Sequence, residues 1–200
     1  MLYQKRDSFR GLERKLGEIF THLPITPYQW TLISILAGLI SIYFVVKQHF
    51  IMAVFSFLIS GLADYLNGII ARHRGIYTAT FRYLDTVSDR YVDAFILFGM
   101  LFLPLPNIFL SGYVWVFLIL FGSLITSFVK AAAKEKELVA QELKGGFVTR
   151  PERIILISIA LFLGVIDKSL VWTTYLLIFI AAVSNFTAFQ RVYLAVKMRI

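Results

Sequence analysis

Residues 108–129 read IFLSGYVWVFLILFGSLITSFV, 22 positions without a charge. A helix that crosses the hydrocarbon core of a bilayer needs roughly 20 apolar residues. This stretch therefore sets the class: a helical integral membrane protein. A second run, Ser169 to Gln190, is equally long and uncharged, and Trp30 to Val46 gives 17 more such positions. Three shorter apolar runs lie between them: Ile51–Ala63, Ala94–Leu105 and Ile154–Ile166. Each reaches full length only by taking in polar residues at one end, which must then be hidden from lipid or face a wet cavity. Composition agrees. The chain is 58% hydrophobic and 16% charged, with a mean hydropathy of +0.75, whereas soluble domains carry about 25% charged residues. Cysteine is absent, which excludes a disulfide framework and any thiolate ligand or nucleophile.

Six transmembrane helices follow, and charge orients them. Of the 20 Lys and Arg, 18 fall in four places: up to Lys15, between Arg72 and Arg90, from Lys130 to Arg153, and from Arg191 onward. The opposite loops hold only Lys47 and Lys168. The positive-inside rule places both termini and the basic loops in the cytoplasm. No secretory signal is expected, because the N-terminus is polar up to about residue 30. The net charge of +8 reads as orientation and attraction to phosphates, with no nucleic-acid partner expected. Phe9, Leu12, Leu16, Ile19 and Phe20 recur at helical spacing among basic residues, which predicts an amphipathic juxtamembrane helix over 9–21. Pro24 and Pro27 end it. The expected organisation is one membrane domain over 1–200, with the six-helix bundle at about 30–195.

The acids carry the chemistry. Asp64, Asn67, Gly68 and Ala71 stand at i, i+3, i+4 and i+7, on one helix face; Asp85, Asp89 and Asp93 stand at i, i+4 and i+8, again on one face. A carboxylate buried in a membrane costs several kcal/mol, roughly, unless paired or metal-bound. Ion pairs with Arg72, Arg82 and Arg90 are one solution. A hard divalent cation such as Mg²⁺ (or Mn²⁺) is the other, because carboxylate and amide oxygens suit it. The small residues Gly68 and Ala71 favour the second, since they leave the helix face open to a bulky ligand. Arg72 follows on the next turn, where it can meet a phosphate.

The spacing Asp64-x-x-Asn67-Gly68-x-x-Ala71-Arg72-x8-Phe81-x3-Asp85-x3-Asp89 resembles the signature of the CDP-alcohol phosphotransferases, D-x-x-D-G-x-x-A-R-x8-G-x3-D-x3-D. Six of its eight fixed positions match. The resemblance implies a six-helix membrane enzyme, a homodimer, that transfers a phosphatidyl or archaetidyl group from a CDP-linked lipid to an acceptor hydroxyl and releases CMP. It implies that Asp64, Asn67, Asp85 and Asp89 hold two divalent ions. Asp89 would be the general base. Asp64, Gly68, Ala71 and Arg72 would receive the CDP group. Three departures stand out: Asn67 for the second acid, Phe81 for the second glycine, and Tyr28 where the family often shows Asn in Pro-Asn-x-x-Thr.

A basic set bears on the acceptor. Lys130, Arg150, Arg153 and Arg191 all fall at the cytoplasmic side. Each alone reads as a topology or snorkelling residue; together they suit an anionic acceptor. The segments Ser127-Phe-Val-Lys130-Ala, Arg150-Pro-Glu152-Arg153 and Gln190-Arg191, with Gly145-Gly146, resemble the subgroup that makes phosphatidylinositol phosphate or its archaeal ether-lipid counterpart. That subgroup implies inositol phosphate as acceptor, with glycerol phosphate and serine as alternatives. Two other readings compete: a non-catalytic homologue that binds CDP-lipid or serves as a partner subunit, and a transporter. The latter predicts inverted repeats and broken helices, which the sequence lacks. Lys134 to Glu137 reads as a solvated extension of the fourth span, with Lys134 and Glu137 paired at i,i+3. Asp93 reads as a salt-bridge partner.

Overall fold

The computed structural model describes residues 6–139 and 146–197, with the backbone alone at 6–10 and 12. Among them are seven helices: α1 (Arg6–Thr21), α2 (Pro27–Val46), α3 (Phe50–His73), α4 (Ala79–Met100), α5 (Gly112–Glu135), α6 (Arg150–Ile166) and α7 (Val171–Lys197). Among the described residues the only β feature is an isolated bridge between Ile108 and Leu110. They are otherwise all-α, as expected. Four helices, α2, α3, α5 and α7, are long and apolar enough to cross a membrane. The other two expected spans are helical but fall short of that measure. α4 carries Arg82, Asp85, Asp89, Arg90 and Asp93, and α6 has only 17 residues. A helix also forms where one was expected at 9–21, beginning at Arg6 rather than Phe9. The side chains of Phe9 and Leu12 lie outside the described residues, and so does Gly145.

The chain divides into two compact bodies, residues 2–103 and 104–200. In the first, α2 packs on both α3 and α4, and α1 packs on α3. α2 starts where Thr26 and Gln29 form a capping box with Pro27 in the first turn, a position that tolerates the missing N–H of proline. α2 and α3 approach closely through small residues. Ser34 Oγ donates to the Ser60 carbonyl (2.9 Å) and Ser60 Oγ returns a bond to the Ser34 carbonyl (2.7 Å). Ser41 Oγ donates to the Ala53 carbonyl (2.8 Å). Such interhelical bonds in membrane proteins are worth about 0.6 kcal/mol each. Outward faces are apolar, with Leu32, Leu36 and Tyr43 on α2 and Phe55, Leu58 and Leu62 on α3 all exposed. In a spanning helix that surface is turned to lipid. Arg74, just past α3, donates to the carbonyls of Thr21, Leu23 and Ile25 at 2.7–2.9 Å. It satisfies the carbonyls left over where α1 ends and so fastens α1 to α3.

In the second body, α7 packs on α5 and on α6. A Cβ at Gly122 on α5 would lie 2.9 Å from the backbone nitrogen of Asn185 on α7, so glycine is what lets these helices touch. Asn185 Nδ2 then reaches the Leu118 and Ala181 carbonyls (2.9 and 2.8 Å). The α5 boundaries differ from the charge-free run. Phe109 takes a φ of 60°, which delays the start to Gly112, and the helix runs past Lys130 to Glu135. Glu137 has left the helix at φ 55°. The exposed pair at this end is Lys136 with Glu135 (3.1 Å), not Lys134 with Glu137.

Asp167 organises the start of α7. Its carboxylate accepts bonds from the Ser169 hydroxyl and from the backbone N–H groups of Ser169, Val171 and Trp172. The Ser169 hydroxyl, followed by these N–H groups, holds Asp167 below its ordinary value of 3.8. A carboxylate lowered by folding stabilises the protein fully above its unfolded value and loses that contribution as pH falls through the folded value. Asp167→Ala is therefore expected to lower thermal stability at neutral pH. The gap to wild type should close below pH 3.8. A detergent melting series from pH 7 downward checks both signs.

Candidate active site

The turn between α3 and α4 brings two acidic faces together. α3 ends at His73; Gly75 takes a φ of +68°, and Thr78 caps α4 through the Phe81 N–H (3.2 Å). The i, i+4 spacing then turns Asp85 and Asp89 of α4 toward Asp64 of α3. One carboxylate oxygen from each lies within 4.8 Å of the others, and all three residues are half-buried. A single ion with oxygen ligands at roughly 2.0–2.6 Å can bridge such a set. The donors are hard and anionic, so the residues fit Mg²⁺ or Mn²⁺.

Asn67 stands beside them in a different posture. It is fully buried, and its Nδ2 donates to Asp85 Oδ1 (2.9 Å) and to Thr31 Oγ1 on α2 (3.0 Å). Its Oδ1 is buried without a hydrogen bond. The salt-bridge reading holds in part: Arg90 lies 3.4 Å from Asp93 and 3.7 Å from Asp89. Arg72 reaches Glu13 of α1 at 3.7 Å and also lies over the Tyr77 ring at 5.5 Å.

The small residues of the motif are not equivalent. A Cβ at Gly68 would meet only the Arg72 guanidinium, at 3.6 Å, so packing does not require glycine there and the space beside it is open. Ala71 is fully buried and keeps the same helix thin. Phe81 is 1% exposed and packs edge-on against Tyr28 (5.5 Å) and tilted against Tyr77 (6.0 Å). Two departures from the family pattern, Tyr28 and Phe81, therefore touch. That contact, the Thr31–Asn67 bond and the Glu13–Arg72 pair join residues 36 to 59 positions apart, and no local spacing signals them.

The basic residues lie in the second body. Lys130 is on α5, Arg150 and Arg153 on the first turn of α6, and Arg191 on α7. Arg153 is buried; the other three are half-buried. Thr149 and Glu152 form a capping box at the start of α6, and a helix N-terminus itself favours anions. The segment ahead of α6 is seated on α7. Val148 N–H donates to Thr187 Oγ1 (3.2 Å), and Gly146, at φ +135°, lies so close that a Cβ would sit 2.8 Å from Thr187 and 3.4 Å from Arg191 Nε. Arg191 Nη1 donates to the Thr126 carbonyl (3.1 Å), which ties α7 to α5 near Lys130.

Comparison with known proteins follows the same lines. The CDP-alcohol phosphatidyltransferase family pattern matches residues 24–187. The archaetidylinositol phosphate synthase of Pyrococcus horikoshii is 34% identical, covering 98% of this chain and 97% of its own. Two crystal structures of the Mycobacterium tuberculosis phosphatidylinositol phosphate synthase share the fold. The complex with manganese and citrate has a TM-score of 0.75 at 22% identity, covering 92% of this chain and 87% of that one. The complex with CDP-DAG has a TM-score of 0.73 at 21% identity, covering 92% of each. This chain belongs to the CDP-alcohol phosphatidyltransferase family.

Proposed function

We propose that this protein transfers a phosphatidyl or archaetidyl group from a CDP-linked lipid to the hydroxyl of inositol phosphate, releasing CMP. The observation that carries this is the convergence of Asp64, Asp85 and Asp89 within 4.8 Å, in the order of the family signature. The acceptor rests on the Pyrococcus relative's name and on the basic set Lys130, Arg150, Arg153 and Arg191.

Each group has a task. Asp64, Asp85 and Asp89 would hold the divalent metal, with Asn67 hydrogen-bonded to Asp85. When bound, the metal neutralises diphosphate charge and stabilises the leaving phosphate. Gly68 leaves room for the CDP group on the face that Asp64 and Ala71 share, and Arg72 takes a phosphate oxygen. Asp89 accepts the proton of the acceptor hydroxyl, and its use as a base depends on its placement against that hydroxyl. The hydroxyl oxygen bonds to the phosphorus that carries the lipid. The bond from that phosphorus to the bridging oxygen breaks, and CMP leaves with the electron pair. α4 and α6 complete six spans, with their polar residues at the cytoplasmic end. The clustering of basic residues at that end supports this topology.

The test is CMP release by purified protein with Mg²⁺ and a CDP-linked lipid, offering inositol phosphate, glycerol phosphate, serine and inositol separately. Release with inositol phosphate alone bears the proposal out. Release with another acceptor moves the specificity, and no release with retained CDP-lipid binding leaves a binding protein. Arg150→Gln is expected to reduce kcat/KM for the phosphorylated acceptor roughly 10- to 100-fold, the value of a hydrogen bond to a charged group. The loss should fall on KM, with CDP-lipid affinity unchanged.

A further inference from the structure

The amide of Asn67 has its direction set by its neighbours. The Thr31 hydroxyl donates its only hydrogen to the Pro27 carbonyl (3.2 Å), so toward Asn67 it is an acceptor. Asp85 Oδ1 is a carboxylate oxygen and also an acceptor. Both face Nδ2, at 3.0 and 2.9 Å, and the amide's two hydrogens are thereby used. Turning the amide over would set Oδ1 against two acceptors, one of them anionic. The arrangement persists although it leaves the buried Oδ1 without a hydrogen bond, an omission that ordinarily destabilises. In the ligand-free protein, Asn67 therefore offers Asp85 a donor, and as a neutral amide it adds no negative charge to the cluster.

We propose that Asn67 is a positioning residue that makes the site take up its divalent ions in order. One ion enters the ligand-free protein, held by Asp64, Asp85 and Asp89. A second is held only when a nucleoside diphosphate supplies the missing oxygens. The inference rests on the metal-site reading above and refines it. Three carboxylates more than neutralise one dication. Two dications would leave the half-buried cluster with net positive charge and too few oxygens, because hard divalent ions take six or more ligands. A diphosphate supplies both negative charge and oxygens. An aspartate at position 67 would supply them from the protein and remove the dependence on the nucleotide. The hydrogen bond from Asn67 meanwhile holds Asp85 in place for the first ion.

The measurement is Mn²⁺ binding to the detergent-purified, metal-stripped protein, by calorimetry and by loss of the free-ion electron paramagnetic resonance signal, with and without CDP. Ion binding to CDP alone is subtracted. Wild type is expected to take one Mn²⁺ per chain alone and two with CDP, with spin coupling between the ions appearing only with CDP. Asn67→Asp is expected to take two in both conditions. Two ions of equal affinity in wild type without CDP would overturn the proposal, and so would one ion in wild type under both conditions. So would an Asn67→Asp protein that still needs CDP for its second ion. The wild-type arms decide the matter by themselves should the variant fail to fold. Wild type that binds no Mn²⁺ even with CDP would overturn the metal-site reading itself.

Discussion

Asp89→Asn is expected to reduce CMP release roughly 10²- to 10⁴-fold, the range that a positioned general base contributes. The amide is nearly isosteric and still offers an oxygen to a metal, but it cannot accept the acceptor's proton. The loss should therefore appear in kcat, while CDP-lipid affinity changes only a few-fold. The Asp89–Arg90 contact is long, at 3.7 Å, and does not involve the proton that Asp89 would take. Arg90 keeps Asp93 at 3.4 Å in the variant. Single-turnover assays with saturating lipid separate chemistry from binding. A variant within tenfold of wild type would remove Asp89 from the role of base.

Phe81→Gly restores the residue of the family signature, yet it is expected to damage this protein. Phe81 is buried between Tyr28 and Tyr77, and removing a buried phenylalanine side chain costs about 3–5 kcal/mol. Tyr28 has no partner in the signature, whose usual residue there is a small amide, so the cavity would not refill. The expected result is a large fall in melting temperature in detergent, with no gain in turnover at low temperature. Phe81→Leu should recover much of the stability. An active, fully stable Phe81→Gly protein would show that the aromatic cluster is incidental.

The fold was largely legible because membrane solvent leaves few choices. The three uncharged runs of about 20 residues read as helices and fall on α2, α5 and α7; the three shorter runs fall on α3, α4 and α6, of which only α3 is long and apolar enough to cross a membrane. Their ends were less legible. The solvated extension of α5 read beyond Lys130 forms, since long basic side chains reach water while the helix goes on, but α5 stops at Glu135, short of Glu137. At its other end, the positive φ of Phe109 sets the start, and no residue type announced it. Of the site, Asp64, Asp85 and Asp89 were legible because helical periodicity places them on two faces and one short turn joins those faces. Asn67 was legible as a position but not as a posture. Its orientation follows from Thr31, on a helix that the motif does not include. Tyr28 and Phe81 each read as a departure in the sequence, and only packing shows that they touch.

The uninterrupted length of α3 sets the altitude of the chemistry. Its 24 residues rise about 36 Å at 1.5 Å each, against roughly 30 Å of hydrocarbon. On a span that starts at Phe50 and runs along the membrane normal, the other boundary would fall near Ile70, with Asp64 about 9 Å beneath it. A lipid diphosphate normally rides at the headgroup plane. To reach an Asp64 at that depth it would sink below that plane rather than rise out of the bilayer, with its acyl chains still in the membrane. The lipid would then come to the reaction by lateral diffusion and a short descent, and the acceptor would make the longer journey, from water down to the carboxylates.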